Sequence, residues 1–316
     1  MENGAGMRTG AVSPLTTGIP PAGIPGRGMT EQILEQAGSA GYRAALIDAT
    51  DGTVTAWSRF ARTVRDAARA LARRGLAAGD TAGVMVKDAA SFAIAVNAVR
   101  AAGAAVLSIG PDTSLSRAAA QLNASGARLL ITSAALAGPA TQAADRSRVR
   151  QVIAFGDAPG TTPFSSLLAP PGGGQYPGGQ YPGGQYPGGG QYPGGGQYPG
   201  DEPDQAGRPR PGADARSWPG GPLAGGREPA GVPGATGGHE VDLSHSDVVV
   251  AGPPCGDGAA YTALLDLTML TGATIVAAPL PLVTAAMRVY KGTAVIVPCG
   301  TPVCDVAPSR VFTVAC

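Results

Sequence analysis

More than half of residues 171–238 are glycine or proline: 24 glycines and 13 prolines in 68 positions, out of 49 and 29 in the whole 316-residue chain. Glycine loses too much backbone freedom to favour regular elements, and proline lacks the N–H that helix and strand interiors need. The stretch therefore divides the chain. Within it the unit Gly-Gly-Gln-Tyr-Pro recurs and places Tyr176, Tyr181, Tyr186, Tyr192 and Tyr198 five or six residues apart. A unit this short has too little apolar surface to offset the entropy of ordering it, so residues 170–240 are expected to be a disordered low-complexity linker. Residues 1–29 are expected to be a disordered N-terminal segment. Roughly 220 residues in two blocks, 30–169 and 241–316, remain to build a core, which is enough for a packed domain.

Charge and cysteine usage exclude several classes. The net charge is +1 and the 23 basic residues gather in no single run, so a nucleic-acid binder held by phosphate contacts is not expected. The four cysteines, Cys255, Cys299, Cys304 and Cys316, lie in the last 62 residues, unlike a secreted disulfide framework. The first 28 residues lack the apolar core of a signal peptide. Leu267 to Met287 carries no charge over 21 residues, long enough to span a bilayer, but Gly272, Pro279 and Pro281 interrupt it. No membrane span is expected, and the cytoplasm is the expected location.

Both blocks alternate helical and strand-like patterns. In the first, Thr55 is expected to cap a helix whose apolar positions Trp57, Phe60, Val64, Ala68 and Leu71 recur at three- and four-residue steps. Gly75 ends it, and Arg62, Arg65, Arg69 and Arg73 fall on its other faces. Strands are expected at 82–86, 104–109, 128–132 and 151–155, and helices at 91–102 and 115–125. In the second block, strands are expected from Asp247, over 273–278 and over 293–297, with helices at 259–270 and 282–290. Strands separated by helices of 10–15 residues predict an α/β fold, a partial doubly wound, mainly parallel sheet interrupted by the insertion. A single sheet running through both blocks is the economical reading.

Candidate chemical motifs are weak. No G-x-G-x-x-G or G-x-x-x-x-G-K-[ST] loop is present; Pro159-Gly-Thr-Thr-Pro163 is the nearest string, and it lacks a following Lys. His239, His245, Cys255, Cys299 and Cys304 form no zinc knuckle and supply no oriented nucleophile–base pair, and buried apolar cysteines are the simpler expectation. Asp48, Asp51 and Asp80 sit beside Gly in turns, where Asp bonds local backbone. Lys87 follows a strand and is the one candidate for contact with a ligand at a sheet's carboxyl edge, although a solvated Lys is the commoner case. Arg43, Arg59 and the helix arginines read as an exposed face. No catalytic, cofactor-binding or metal-binding residue is assigned.

A set of strings taken together is more specific. Residues 45–168 contain Ala45-Leu-Ile-Asp48, Thr55-Ala-Trp-Ser-Arg-Phe60, Ala70-Leu-Ala-Arg-Arg-Gly-Leu-Ala-Ala-Gly-Asp80, Ala102-Gly-Ala-Ala-Val106 with Gly110-Pro111, and Gln121-Leu-Asn-Ala-Ser-Gly-Ala-Arg-Leu-Leu-Ile-Thr132. Residues 246–300 contain Asp247-Val-Val-Val, Leu270-Thr-Gly-Ala-Thr-Ile-Val276 and Tyr290-Lys-Gly-Thr-Ala-Val-Ile-Val-Pro298. In this order they resemble the N-terminal portion of the adenylate-forming, AMP-binding superfamily: acyl-CoA and aryl-CoA synthetases, luciferases and peptide-synthetase adenylation domains. The resemblance implies an AMP-forming acid–thiol ligase using ATP, magnesium and CoA, with a carboxylic acid substrate.

The departures from that family carry as much weight. Its Ser/Thr/Gly-rich, Lys-bearing phosphate loop is replaced here by the Gly-Gly-Gln-Tyr-Pro tract. Its P-x-x-H-x-x-G string reads Pro253-Pro-Cys-Gly-Asp-Gly258, without His, and the sequence reaches Cys316 before the family's later nucleotide motifs and catalytic Lys. Adenylation needs the phosphate charge neutralised. The expectation is a degenerate or truncated ligase-like pseudoenzyme, inactive as an isolated chain, with no cofactor expected in it. The alternatives are a non-catalytic interaction protein using the Tyr-rich tract, or half of a split enzyme needing a complementary C-terminal chain.

Overall fold

The computed structural model describes residues 26–168, 243–254, 258–298, 301 and 310–314. The tyrosine tract, His239 and all four cysteines lie outside the described residues. The elements run α1 (Gly26–Ala40), β1 (Ala44–Asp48), β2 (Val54–Ala56), α2 (Trp57–Arg73), β3 (Thr81–Met85), α3 (Ala89–Ala101), β4 (Ala105–Ser108), α4 (Leu115–Ser125), β5 (Leu129–Ser133), α5 (Ala137–Asp145), β6 (Gln151–Phe155), β7 (Thr162–Pro163) and α6 (Ser165–Leu168). After the inserted stretch come β8 (Val248–Ala251), α7 (Ala259–Leu270), β9 (Thr274–Ala277), α8 (Val283–Val289), β10 (Ala294–Pro298) and β11 (Arg310–Val314).

The α/β class and the dominance of parallel pairing are as the sequence indicates. The single sheet is not. Two sheets form: one has the order β11-β10-β8-β9-β1-β2, and the other β4-β3-β5-β6-β7. The second sheet is wholly parallel. In the first, only the β1–β2 pair is antiparallel. The physical reason is that β1 pairs with β9 rather than with β3: Leu46, Ile47 and Asp48 face Ile275, Val276 and Ala277. Strand pairing is non-local, and periodicity carries no information about it.

The alternation of side chains along each strand assigns its two faces. In β3 and β5, Ala82, Val84, Leu129 and Ile131 join the large central cluster, while Met85 and Leu130 face α4 and α5 with Leu122, Ala140 and Val152. In β9 and β10, Ile275, Ala277 and Ile296 face the same central cluster, and Val276 and Val295 face α8 with Met287. Helices α1, α2, α3 and α7 thus lie between the two sheets, with Trp57, Phe60, Phe92 and Tyr261 fully buried among them. Each such side chain contributes roughly 1.5–3 kcal/mol by burial.

Helix α2 follows its pattern closely. Trp57, Phe60, Ala61, Val64, Ala67, Ala68 and Leu71 are buried, Arg62, Arg65, Arg69 and Arg73 are exposed, and the following turn passes through Gly75 at φ +91°. Its N-cap is Ala56, without a side-chain hydrogen bond, because Thr55 is held in the β1–β2 hairpin; the expected Thr55 cap is corrected. Helix α1 begins at Gly26, inside the stretch read as an N-terminal segment. The uncharged run from Leu267 to Met287 divides into the end of α7, strand β9, a short 3-10 turn and α8. Among the described residues no helix is long and apolar enough to cross a membrane.

Candidate functional site

Three strands of the two sheets end beside one another. The carboxyl end of β1 supplies Asp48, and the turn that follows supplies Asp51 and Thr53. The segment after β3 supplies Asp88 and the first turn of α3, and the end of β6 supplies Phe155. With Thr55, Ala90, Ser91, Ile94 and Leu46 these residues line a cleft of about 230 Å³. The carboxyl edges of parallel strands are where open α/β sheets hold ligands, because the connections there diverge and leave helix N-termini and loop groups facing a crevice.

Local backbone bonding fixes each acid. Asp48 Oδ1 accepts from the Thr50 N–H at 2.7 Å, and Asp51 Oδ1 from the Thr53 N–H at 2.8 Å. Asp88 is the N-cap of α3, with Oδ1 accepting from the Ser91 N–H at 2.7 Å. Burial pushes the Asp88 carboxyl above the usual range, and the negative charge of Asp48 adds to the shift; the Ser91 N–H opposes it. The exposed Asp51 is held below its usual range by the Thr53 backbone N–H and hydroxyl. The lining is therefore three carboxylates, three hydroxyls and an apolar wall, with no Lys or Arg among its residues. Its field attracts cations and hydrogen-bond donors and repels phosphates.

The residues singled out from sequence are placed as follows. Asp48 and Asp51 make the turn bonds expected of them and also line the cleft. Asp80 accepts from the Ala77 N–H at 2.8 Å and stays outside it. Lys87 is exposed, its backbone N–H donating to Ser133 Oγ at 2.9 Å. The Pro159–Pro163 string is a turn that runs into β7, and its hydroxyls are engaged: Thr161 Oγ1 donates to the Ala158 carbonyl at 2.8 Å, and Thr162 Oγ1 accepts from Gln151 Nε2 at 3.1 Å. His245 is exposed. Arg59 is exposed as expected, but Arg43 is half-buried and donates through Nη1 to the His245 carbonyl at 3.2 Å, which corrects the exposed-face reading. Burial lowers its guanidinium pKa.

Asp88, Ser91 and Phe155 were not marked by sequence. The signal for Asp88 was its spacing, an Asp three residues before Ser91 at the start of an apolar helix. Gly258 caps α7 at φ +70°, and a Cβ there would overlap the Ser108 side chain at the end of β4. Only glycine meets both demands. Among the described residues no group of three or more His, Cys, Asp or Glu side chains comes together in a way that would hold a metal ion. The cleft's lining supplies no Lys or Arg to a triphosphate.

Residues 33–172 match the sequence model of the AMP-binding enzyme family. No curated protein matches the chain. Among solved structures it is similar to a long-chain-fatty-acid–CoA ligase from Archaeoglobus fulgidus, at 16% identity and TM-score 0.57 over 90% of this chain and 54% of that one. It is also similar to a benzoate CoA ligase from Burkholderia xenovorans, at 14% identity and TM-score 0.55 over 86% of this chain and 50% of that one. A luciferase-like enzyme from the mealworm Zophobas morio aligns at 12% identity and TM-score 0.55 over 85% of this chain and 59% of that one. The first block thus matches the AMP-binding family by sequence, and the solved structures share the fold over most of the chain. The chain spans about half the length of these structures.

Proposed function

We propose that this chain is a ligase-like protein of the acyl-CoA or aryl-CoA synthetase type that does not adenylate an acid on its own. The observation that supports this most is the cleft at the strands' carboxyl ends. Its lining joins Asp48, Asp51 and Asp88 to three hydroxyls and an apolar wall and offers no Lys or Arg to a phosphate. The replacement of the family's Lys-bearing loop by the tyrosine tract acts in the same direction. The substrate class carried by the named neighbours, a carboxylic acid, is the class proposed here, bound without turnover. Pyrophosphate release from ATP is measured with a panel of fatty and aromatic acids. Background rates are expected with every acid, and acid-dependent release above background overturns the reading.

A second reading is favoured by the absence of Lys and Arg from the lining of the acidic cleft. In it a complementary chain supplies cationic groups for the phosphates, and the two proteins together form the cytoplasmic ligase. Turnover in a native extract that is lost on purification and restored by adding back a second fraction distinguishes it from the first.

A further inference from the structure

The first sheet is built from both sides of the inserted stretch. Four of its strands, β8 to β11, come from residues 243–314 and two, β1 and β2, from the first block. Neither part completes it. A lone β1–β2 hairpin is marginal in water, and β8–β11 alone would leave β9 as an open edge and the inner face of α7 uncovered.

The surface on which the parts meet is specific. Along the edge, the Ala49 N–H donates to the Ala277 carbonyl at 2.8 Å and Thr274 Oγ1 to the Ala44 carbonyl at 2.9 Å, beside the parallel β1–β9 register. Between the helices, Phe92 of α3 meets Tyr261 of α7 edge to face, centroids 5.4 Å apart, and both are fully buried. At the centre of that contact Arg100 Nη1 donates to both oxygens of Asp266, at 2.9 and 2.7 Å, with each side chain only 7% exposed. Beside it Asn97 Oδ1 accepts from Thr30 Oγ1 of α1 at 3.0 Å, a bond made entirely within the first part. An apolar helix face tolerates several registers, whereas a buried ion pair tolerates the one that pairs it, because any other strands a charge out of water.

We infer that residues 26–168 carry a docking surface, made by α1, α3 and the β1 edge, that recognises residues 243–314 without the covalent connection, and that Arg100–Asp266 sets the register of the docking. The connection between the parts then serves to hold them at high local concentration and is dispensable once they have met. This inference is independent of the catalytic reading above.

The test uses the full chain. A site for a specific protease, flanked by short Gly-Ser spacers, is inserted after Gly200, the protein is purified intact and cleavage is taken to completion by mass spectrometry. The nicked protein is expected to elute from a sizing column as one species at the position of the uncut chain, and elution as two separate fragments overturns the proposal. In the nicked protein Arg100→Met is expected to raise the dissociation constant at least about tenfold, since it leaves Asp266 buried and unpaired. The double variant Arg100→Met with Asp266→Leu, which buries no charge, is expected to stay assembled and so shows that any loss is not a folding failure. Unchanged dissociation in the single variant overturns the role given to the ion pair.

Discussion

Asp88 performs two tasks with one carboxylate. It caps α3 through the Ser91 N–H and forms the partly buried wall of the acidic cleft opposite Asp48. Its pKa is raised in the folded protein, by burial first and by Asp48 second. Folding therefore holds the proton more tightly than the unfolded chain does. The resulting stabilisation is fully present below the ordinary carboxylate range and is lost as pH rises through the raised folded value. Asn caps helices about as well as Asp and does not titrate. Measured by urea midpoints, wild type is expected to lose stability relative to Asp88→Asn as pH climbs from about 4 towards neutral, with a constant difference above. A difference that does not change with pH would show that Asp88 is not the group shifted. The sequence reading did not mark Asp88, although its spacing before Ser91 carries a capping signal; its place in a cleft was not legible, since Asp48 and Phe155 reach it from elements that only the tertiary fold brings near.

At the scale of elements, the Arg100–Asp266 pair joins two helices 166 residues apart in sequence. In the uncut protein Arg100→Met is expected to lower the unfolding free energy by about 3–5 kcal/mol, and the double variant with Asp266→Leu to return to within about 2 kcal/mol of wild type or better. Denaturant titration of the three proteins checks both. A single variant as stable as wild type would mean that water reaches Asp266. Elements with strong periodicity were legible: α4, β6 and α7 fall on the residues where their patterns place them, and Gly126 ends α4 in the left-handed region. Helix α5 was not, because Ala137-Gly-Pro-Ala-Thr-Gln-Ala-Ala-Asp145 has no large apolar stripe and buries only alanines. Strand β11 was not either; its partner β10 precedes it by a stretch outside the described residues, and five residues carry little pattern of their own.

For the whole molecule, the correction from one sheet to two changes what the sequence blocks mean. The inserted stretch does not separate two independent halves of one sheet. It interrupts a chain whose second part returns to complete a sheet begun by β1 and β2, with α1, α2, α3 and α7 packed between that sheet and the all-parallel one. The resemblance of the first block to the AMP-binding family was legible because it resides in short strings at turns and strand starts, such as Gly79-Asp80 and Ala102-Gly103, which the fold places at element ends. The β1–β9 partnership was not, since it joins strands more than two hundred residues apart. The reading proposed for this chain is that the fold persists without adenylation. It is tested most directly under single-turnover conditions, with the full chain in molar excess over labelled ATP, a pooled set of fatty and aromatic acids, and AMP and acyl-adenylate read together. No labelled product above the protein-free control is expected; acid-dependent formation of either product, even at a fraction of one equivalent per chain, would contradict the claim.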